Sequence, residues 1–165
     1  SEVLRNALAF YAANFDAAGT IPFWSELDDI GIDAYYELTD ASEAEGAGNP
    51  SVEAIRAAWQ PRLRRIEALS LRHGKPVVFS EWGAVPFDLT SVRPWDWAPS
   101  RRKDPEEQIN AFRATLDAVA AEAPCVRAVT VWHLAMPGNE GSHYRIDVDS
   151  AIMRLTLSRR SGNSD

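Results

Sequence analysis

The chain has 165 residues, an apolar fraction of 45% and a net charge of −7, which suits one globular domain and is short for two. The net charge is negative and the longest basic run, Arg101-Arg102-Lys103, has only three residues. Both features argue against nucleic acid and anionic membrane surfaces as partners. Cys125 is the single cysteine, so an intrachain disulfide is excluded. The sequence begins at Ser1 in an apparent helix without a signal peptide, so we expect a piece of a longer protein, and it indicates no localisation.

Helices and strands are predicted to alternate along the chain. Four short apolar runs that do not alternate with polar residues are typical of strands buried on both faces, as in a parallel sheet. In chain order we predict a helix tail over 1–9, a strand at Phe10–Asn14, a short helix or turn in TIPFWSELDD, a strand at Ile30–Tyr36, a helix at Ser51–His73, a strand at Lys75–Gly83, a helix beginning at KDPEEQ, a strand at Val126–Leu134 and a closing helix over 150–158.

Capping residues support the two long helices. Ser51 is a plausible N-cap of the first, Gly74 is a stop signal after it, and Pro61 inside it predicts a kink or a restart. Asp104 is the expected N-cap of the second helix, with Pro105 at its first position.

The alternation of strand and helix predicts a parallel α/β fold. No glycine-rich nucleotide-binding motif follows any predicted strand, which argues against a nucleotide-binding doubly wound sheet. Four strands in this length are half of an eight-stranded β/α barrel, which typically needs about 250 residues. We therefore predict a single partial TIM-barrel domain over residues 1–165, with residues 159–165 as a disordered tail.

Polar and aromatic residues collect at the C-terminal ends of the predicted strands, where β/α barrels carry their chemistry. Plainer interpretations also fit: Asn14 as a strand terminator, Tyr35 and Tyr36 as core and rim residues, and Glu81 as a surface glutamate. The candidate residues at these ends are Asn14, Asp33, Tyr35, Tyr36, Glu81, Trp82, Trp132 and His133.

The predicted loop from Ala84 to Lys103 carries two further indoles, Trp95 and Trp97, on either side of Asp96. Aromatic rings beside carboxylates are typical of carbohydrate sites, because rings cover the apolar faces of a sugar while carboxylates accept from its hydroxyls. The two indoles could equally be hydrophobic plugs over the barrel mouth.

Five segments in this order, AFYAANFD, IPFWSELDDIGIDAYYEL, KPVVFSEWGA, VRPWDW and DPEEQINAFRATLDAV with VRAVTVWHL, resemble glycoside hydrolase family 113, which comprises retaining TIM-barrel β-mannanases. The resemblance implies that the four strands are barrel strands five to eight. It also implies that Glu81 is the nucleophile, that Tyr36 hydrogen-bonds it, and that Trp132 lies under the sugar. Trp82 and Trp132 would then exclude water from the reacting centre.

A retaining glycosidase needs a second carboxylate about 5–5.5 Å from the nucleophile. The resemblance implies that this general acid lies on strand four, in the half that precedes this sequence. Glu37 and Asp33 are poor substitutes, so we expect this chain alone to lack hydrolytic activity. No cofactor or metal is implied, and the spacing of His143 with Glu140 and Asp147 does not indicate a metal site.

The expected partner is a β-mannan-like oligo- or polysaccharide. A half barrel would also show unpaired strand edges, so we expect it to associate with its missing N-terminal half or with another copy. Two alternatives remain open at this point: a non-catalytic carbohydrate-binding or scaffold half barrel, and a fragment that acts only after assembly with a partner chain.

Overall fold

The computed structural model describes residues 8–41 and 48–132. Within them the chain forms one four-stranded sheet with two long helices packed on it. The elements are β1 (Phe10–Asn14), β2 (Asp29–Asp33), α1 (Val52–His73), β3 (Val77–Trp82), α2 (Pro105–Glu122) and β4 (Val126–Val131), with 3-10 turns at Ala18–Thr20 and Trp24–Glu26. In these residues no helix is both long and apolar enough to span a bilayer.

The sheet is parallel throughout and its strand order is β1-β2-β3-β4. This confirms the predicted parallel α/β arrangement and all four strands, although three of them are shorter than predicted. Most of the predicted helix over 1–9 lies outside the described residues. The predicted closing helix over 150–158 and tail over 159–165 lie entirely outside them.

The predicted caps position both helices. The Ser51 side chain accepts from the Ala54 amide, and Gly74 ends α1 with a left-handed φ of 63°. The Asp104 side chain accepts from the Glu107 amide at the start of α2. The prediction that Pro61 restarts the helix was wrong, because α1 continues through it as one helix of 22 residues.

Strand β3 contains a β-bulge that decides which way its side chains point. Phe79 pairs with Ile32 and Glu81 pairs with Asp33, so β3 has one residue, Ser80, more than its neighbour β2. The register toward β4 also shifts between Phe79 and Trp82. The extra residue places Glu81 on the opposite face of the sheet from Phe79, whereas regular alternation would keep residues i and i+2 on the same face.

The two faces of the sheet have different neighbours. On the outer face, Phe79 stacks on Trp59 of α1 with ring centroids 5.8 Å apart, and Trp82 meets Phe112 of α2 edge to face at 4.6 Å. All four rings are almost completely buried. The opposite face, which would line the interior of a closed barrel, is called the inner face here; neither long helix covers it.

Gly31 allows β1 and β2 to lie close together on the inner face. A Cβ at this position would come within 2.5 Å of the Tyr11 carbonyl oxygen and 2.7 Å of the Phe10 ring. Both distances are shorter than van der Waals contact, so a larger residue would force the backbones apart. The glycine therefore fixes the spacing of the first two strands.

Candidate functional site

Glu81 and Tyr35 meet at the C-terminal edge of the sheet, on its inner face. The Tyr35 hydroxyl donates a hydrogen bond to Glu81 Oε2 at 3.3 Å. The ladder extends past the end of β2, since the Ala34 amide donates to the Glu81 carbonyl at 2.7 Å. Tyr35 is nearly buried and Glu81 is half-buried, so the carboxylate is held while part of it stays accessible.

The tyrosine that contacts Glu81 is not the one expected. Tyr36 points to the outer face, where its ring meets Trp59 edge to face at 5.6 Å and Phe15 at 5.1 Å. Burial raises the pKa of Tyr36 to about 12, an effect that Arg62 and Arg65 oppose. The placement corrects the prediction that Tyr36 orients the nucleophile, because consecutive residues of an extended segment point to opposite sides.

Asp33 and Ser80 form the layer beside Glu81. The Ser80 hydroxyl donates to Asp33 Oδ1 at 2.8 Å, and both residues are half-buried. The bulge therefore places two consecutive β3 residues, Ser80 and Glu81, against the polar residues of β2. Asp33 is therefore hydrogen-bonded within the sheet, which agrees with the structural role expected for it.

Trp82 and Trp132 were both predicted to line the substrate site, and the structure separates them. Trp82 is 1% exposed against Phe112, which corrects its prediction as a sugar-contacting wall: the bulge turns its indole to the outer face. Trp132 follows β4, is 44% exposed, and its amide donates to the Trp82 carbonyl at 2.8 Å.

Asn14 is exposed at the end of β1, with its Oδ1 accepting from the Phe15 amide. His133 lies outside the described residues.

The two loop indoles take different positions. Trp95 stacks on Phe15 with ring centroids 5.9 Å apart and an interplanar angle of 24°, on the side of the strand end that carries Tyr36. Trp97 is 58% exposed. Both indoles remain open to solvent, so neither is a buried plug.

Glu107 fixes the loop after β3, a role that the sequence analysis missed. This carboxylate is 2% exposed and accepts from the Leu89 amide, the Ser91 amide and the Ser91 hydroxyl at 2.8, 3.0 and 2.6 Å. Leu89 adopts a left-handed φ of 68°, which the hydrogen bond helps to hold. The Ser91 carbonyl in turn accepts from the Leu38 amide at 2.8 Å, so one side chain of α2 connects the segments that follow β2 and β3.

Asp88 and Asp104 lie close to Glu107, but their contacts identify a structural cluster. Arg102 pairs with both aspartates, and Asp104 also accepts from Asn49 and from the helix amide of Glu107. The carboxylate oxygens approach one another closely enough to suggest a cation. Arg102 and amide donors already contact these oxygens, so the cluster closes the base of the loop.

The profile of Glycoside Hydrolase Family 113 matches residues 5–145, most of the chain. A search of curated proteins found no match.

Solved structures show the same fold. Similar structures include a complex of a GH113 β-1,4-mannanase (TM-score 0.63), the GH113 β-mannanase AaManA from Alicyclobacillus acidocaldarius in complex with ManMIm (0.70) and a further GH113 β-1,4-mannanase (0.72), each 20% identical. They cover 92%, 94% and 97% of this chain, which in turn spans 41%, 46% and 48% of theirs. The sheet and its two helices are therefore half of a TIM barrel, and the chain spans less than half the length of these enzymes.

Proposed function

Since the chain belongs to glycoside hydrolase family 113, we propose that it supplies the nucleophile half of a retaining glycosidase acting on β-1,4-linked mannan or manno-oligosaccharides. The observation that carries this proposal is the Glu81 carboxylate, half-buried on the inner face with the Tyr35 hydroxyl 3.3 Å from Oε2. A nucleophile must be fixed in position, and a strand end with a donated hydrogen bond provides this condition.

In the proposed reaction, Glu81 attacks the anomeric carbon while the glycosidic C–O bond breaks, and the leaving oxygen takes a proton from the acid/base carboxylate. Water, which gives a proton back to that carboxylate, then cleaves the glycosyl-enzyme ester, releases the sugar and regenerates Glu81. Tyr35 keeps the attacking oxygens oriented. Trp132, half-exposed beyond β4, offers an indole face to a sugar ring, and the exposed Asn14 offers an amide at the same edge of the sheet.

The acid/base carboxylate comes from outside this chain. The carboxylate of Glu37 is exposed, and Asp33 already accepts from Ser80, so neither residue matches the second carboxylate of a retaining pair. The four N-terminal β/α units of a complete barrel would supply it, either in the same polypeptide or from a partner chain.

The strand edges support such a completion. Four of the five residues of β1 are exposed, as are three of the six residues of β4, and Phe10 and Tyr11 are each almost half-exposed. Edge strands with free backbone groups pair readily with further strands. A complementary half barrel would cover both edges together and close the inner face.

The test joins this chain to the four N-terminal β/α units of a related family 113 mannanase and measures the release of reducing sugar from β-mannan. We expect activity from the complete barrel and none from the 165-residue chain. Glu81→Gln should lower kcat by at least 10³-fold, since the amide cannot act as the nucleophile. Glu53→Gln, at an exposed carboxylate in the first turn of α1, is the matched control and should keep activity.

Three results would contradict the proposal. Unchanged turnover in Glu81→Gln would remove this residue from the mechanism. A complete barrel that has both Glu81 and the acid/base carboxylate, and that binds mannan without turnover, would favour the alternative, a non-catalytic carbohydrate-binding half barrel. Activity lost in Glu37→Gln would instead identify a general acid within this chain.

A further inference from the structure

A groove of about 830 Å³ runs along the outer side of the molecule, between the segment after β1 and helix α1. We call it the outer groove. Residues 15–19 form one wall, the Arg62–Arg72 side of α1 forms the other, and Trp95 from the loop after β3 closes one end. The connection from β1 to β2 contains only 3-10 turns, so within residues 8–41 and 48–132 no full helix from this connection fills the space beside α1.

One end of the outer groove is aromatic. Trp95 is 46% exposed and stacks on Phe15, whose ring lies 5.1 Å from Tyr36. Stacked and partly exposed rings present a flat apolar surface at little cost in conformational entropy, because the rings already hold each other in place. Such a surface fits the C–H face of a pyranose ring.

The polar groups around these rings include both donors and acceptors. Three arginines, Arg62, Arg65 and Arg72, line the groove with guanidinium groups, and Asp16 and Glu37 line it with carboxylates. Burial lowers the pKa of Arg62, and the nearby Glu37 opposes this effect. The neutral hydroxyls of a sugar can satisfy both kinds of group, whereas an anionic ligand would meet the two carboxylates as well as the guanidiniums.

The outer groove is separate from the proposed nucleophile. Tyr36 lines the groove, while the preceding residue, Tyr35, points to the other side of the same extended segment and contacts Glu81. A ligand in the outer groove would therefore lie on the outer side of the strand end, with the β2 backbone between it and the carboxylate.

We propose that the outer groove is a second carbohydrate site, which holds a stretch of neutral β-linked hexose polymer outside the catalytic cleft. The identity of the polymer, β-mannan, rests on the proposed function; the site itself rests on the aromatic pair and the mixed polar walls. A second contact of this kind would raise the affinity for long chains above that for short ones, because both sites could hold one molecule.

The test measures binding of soluble β-mannan by affinity gel electrophoresis, with the complete barrel carrying Glu81→Gln so that no substrate is consumed. Trp95→Ala should weaken the apparent Kd at least fivefold. Arg65→Ala, at an exposed position that leaves the core intact, should weaken it two- to fivefold. The matched control is Arg64→Ala, at the adjacent exposed arginine that does not line the groove, and it should bind as the parent does.

Three outcomes would overturn the proposal. The first is unchanged binding in both groove variants, as expected if another part of the complete protein covers the groove. The second is an equal loss in Arg64→Ala and Arg65→Ala, which would indicate a general charge effect. The third is tighter binding of polygalacturonate than of β-mannan by the parent, lost in Arg65→Ala, which would assign the groove to an anionic polymer.

These outcomes are distinguishable from failure of the proposed function. Binding is measured in a protein without the nucleophile, so it does not depend on turnover. If Glu81→Gln kept full activity, the nucleophile assignment would fail while the groove affinities stayed measurable. If the groove variants bound normally, the turnover lost in Glu81→Gln would still support the catalytic proposal.

Discussion

The outer and inner faces of the sheet use the same strands for different purposes. The outer face packs Phe79 and Trp82 against rings of the two helices, with every ring almost fully buried. The inner face carries Ser80 and Glu81 in half-buried positions, hydrogen-bonded to polar residues of the neighbouring strand segment. Helix packing therefore stabilises the half barrel, while the polar groups around Glu81 lie on the face that the helices leave open.

The largest expected effect comes from the outer face. Phe79→Ala removes a fully buried ring stacked on Trp59, so unfolding free energy should fall by about 3–5 kcal/mol. Urea denaturation of the complete barrel measures it. Leu71→Ala, at a leucine of α1 that is 76% exposed, is the control and should change stability by less than about 0.5 kcal/mol. Equal effects would mean that the packed face does not stabilise the fold.

The buried carboxylate beneath the loop should have the next largest effect. Glu107→Gln replaces one acceptor oxygen with an NH2 group facing backbone amides or Ser91, so stability should fall by about 2–3 kcal/mol. The adjacent Glu106→Gln is the matched control, since Glu106 is exposed on the same helical turn and should change stability little. A similar result for both variants would show that Glu107 does not anchor the loop.

The pH dependence of stability tests the burial of Tyr36 on the outer face. Its folded pKa of about 12 lies above the ordinary value of 10.0, so the unfolded chain releases the phenolic proton first as pH rises. The contribution of the neutral hydroxyl to the free energy of unfolding is fully present below pH 10. About 2 kcal/mol of it is lost as the pH rises toward 12. Tyr36→Phe should make the fall in unfolding free energy shallower in this window. Parallel curves for the two proteins would contradict the burial of this hydroxyl.

The smallest expected effect concerns the start of α1, the helix that supplies Trp59 to the outer face. Ser51→Ala removes the side-chain oxygen that accepts from the Ala54 amide, so unfolding free energy should fall by about 1 kcal/mol. Ser25→Ala, in an exposed turn, should be nearly neutral. Thermal unfolding of both variants measures the difference, and no difference would mean that the cap is not used.

The sequence pattern was sufficient for the architecture because it is local. The cap residues Ser51, Asp104 and Gly74 act within a few positions of where they stand, and the apolar runs specify buried strands directly. The restart expected at Pro61 was wrong, since packing along α1 outweighs the loss of one backbone hydrogen bond.

The details of the site depended on long-range pairing. Which of Tyr35 and Tyr36 reaches Glu81, and which way Trp82 points, follow from the bulge in β3, and a bulge is defined only by the register with neighbouring strands. The Glu107 contacts join residues 16 and 18 positions apart, beyond any helical or strand period. The acidic residues opening α2 indicate a favourable helix dipole, and nothing local distinguishes the buried one from the exposed one.

The bulge at Ser80 decides which side chains of β3 face the helices. If β3 kept all its residues but alternated without the bulge, Glu81 would follow Phe79 toward the helices and the indole of Trp82 would take the carboxylate's place. The protein would then have lost the proposed nucleophile from the inner face while every acidic residue remained in the sequence. A redesign of this half barrel that kept each side chain but regularised the strand would therefore preserve the composition of the site and abolish its geometry.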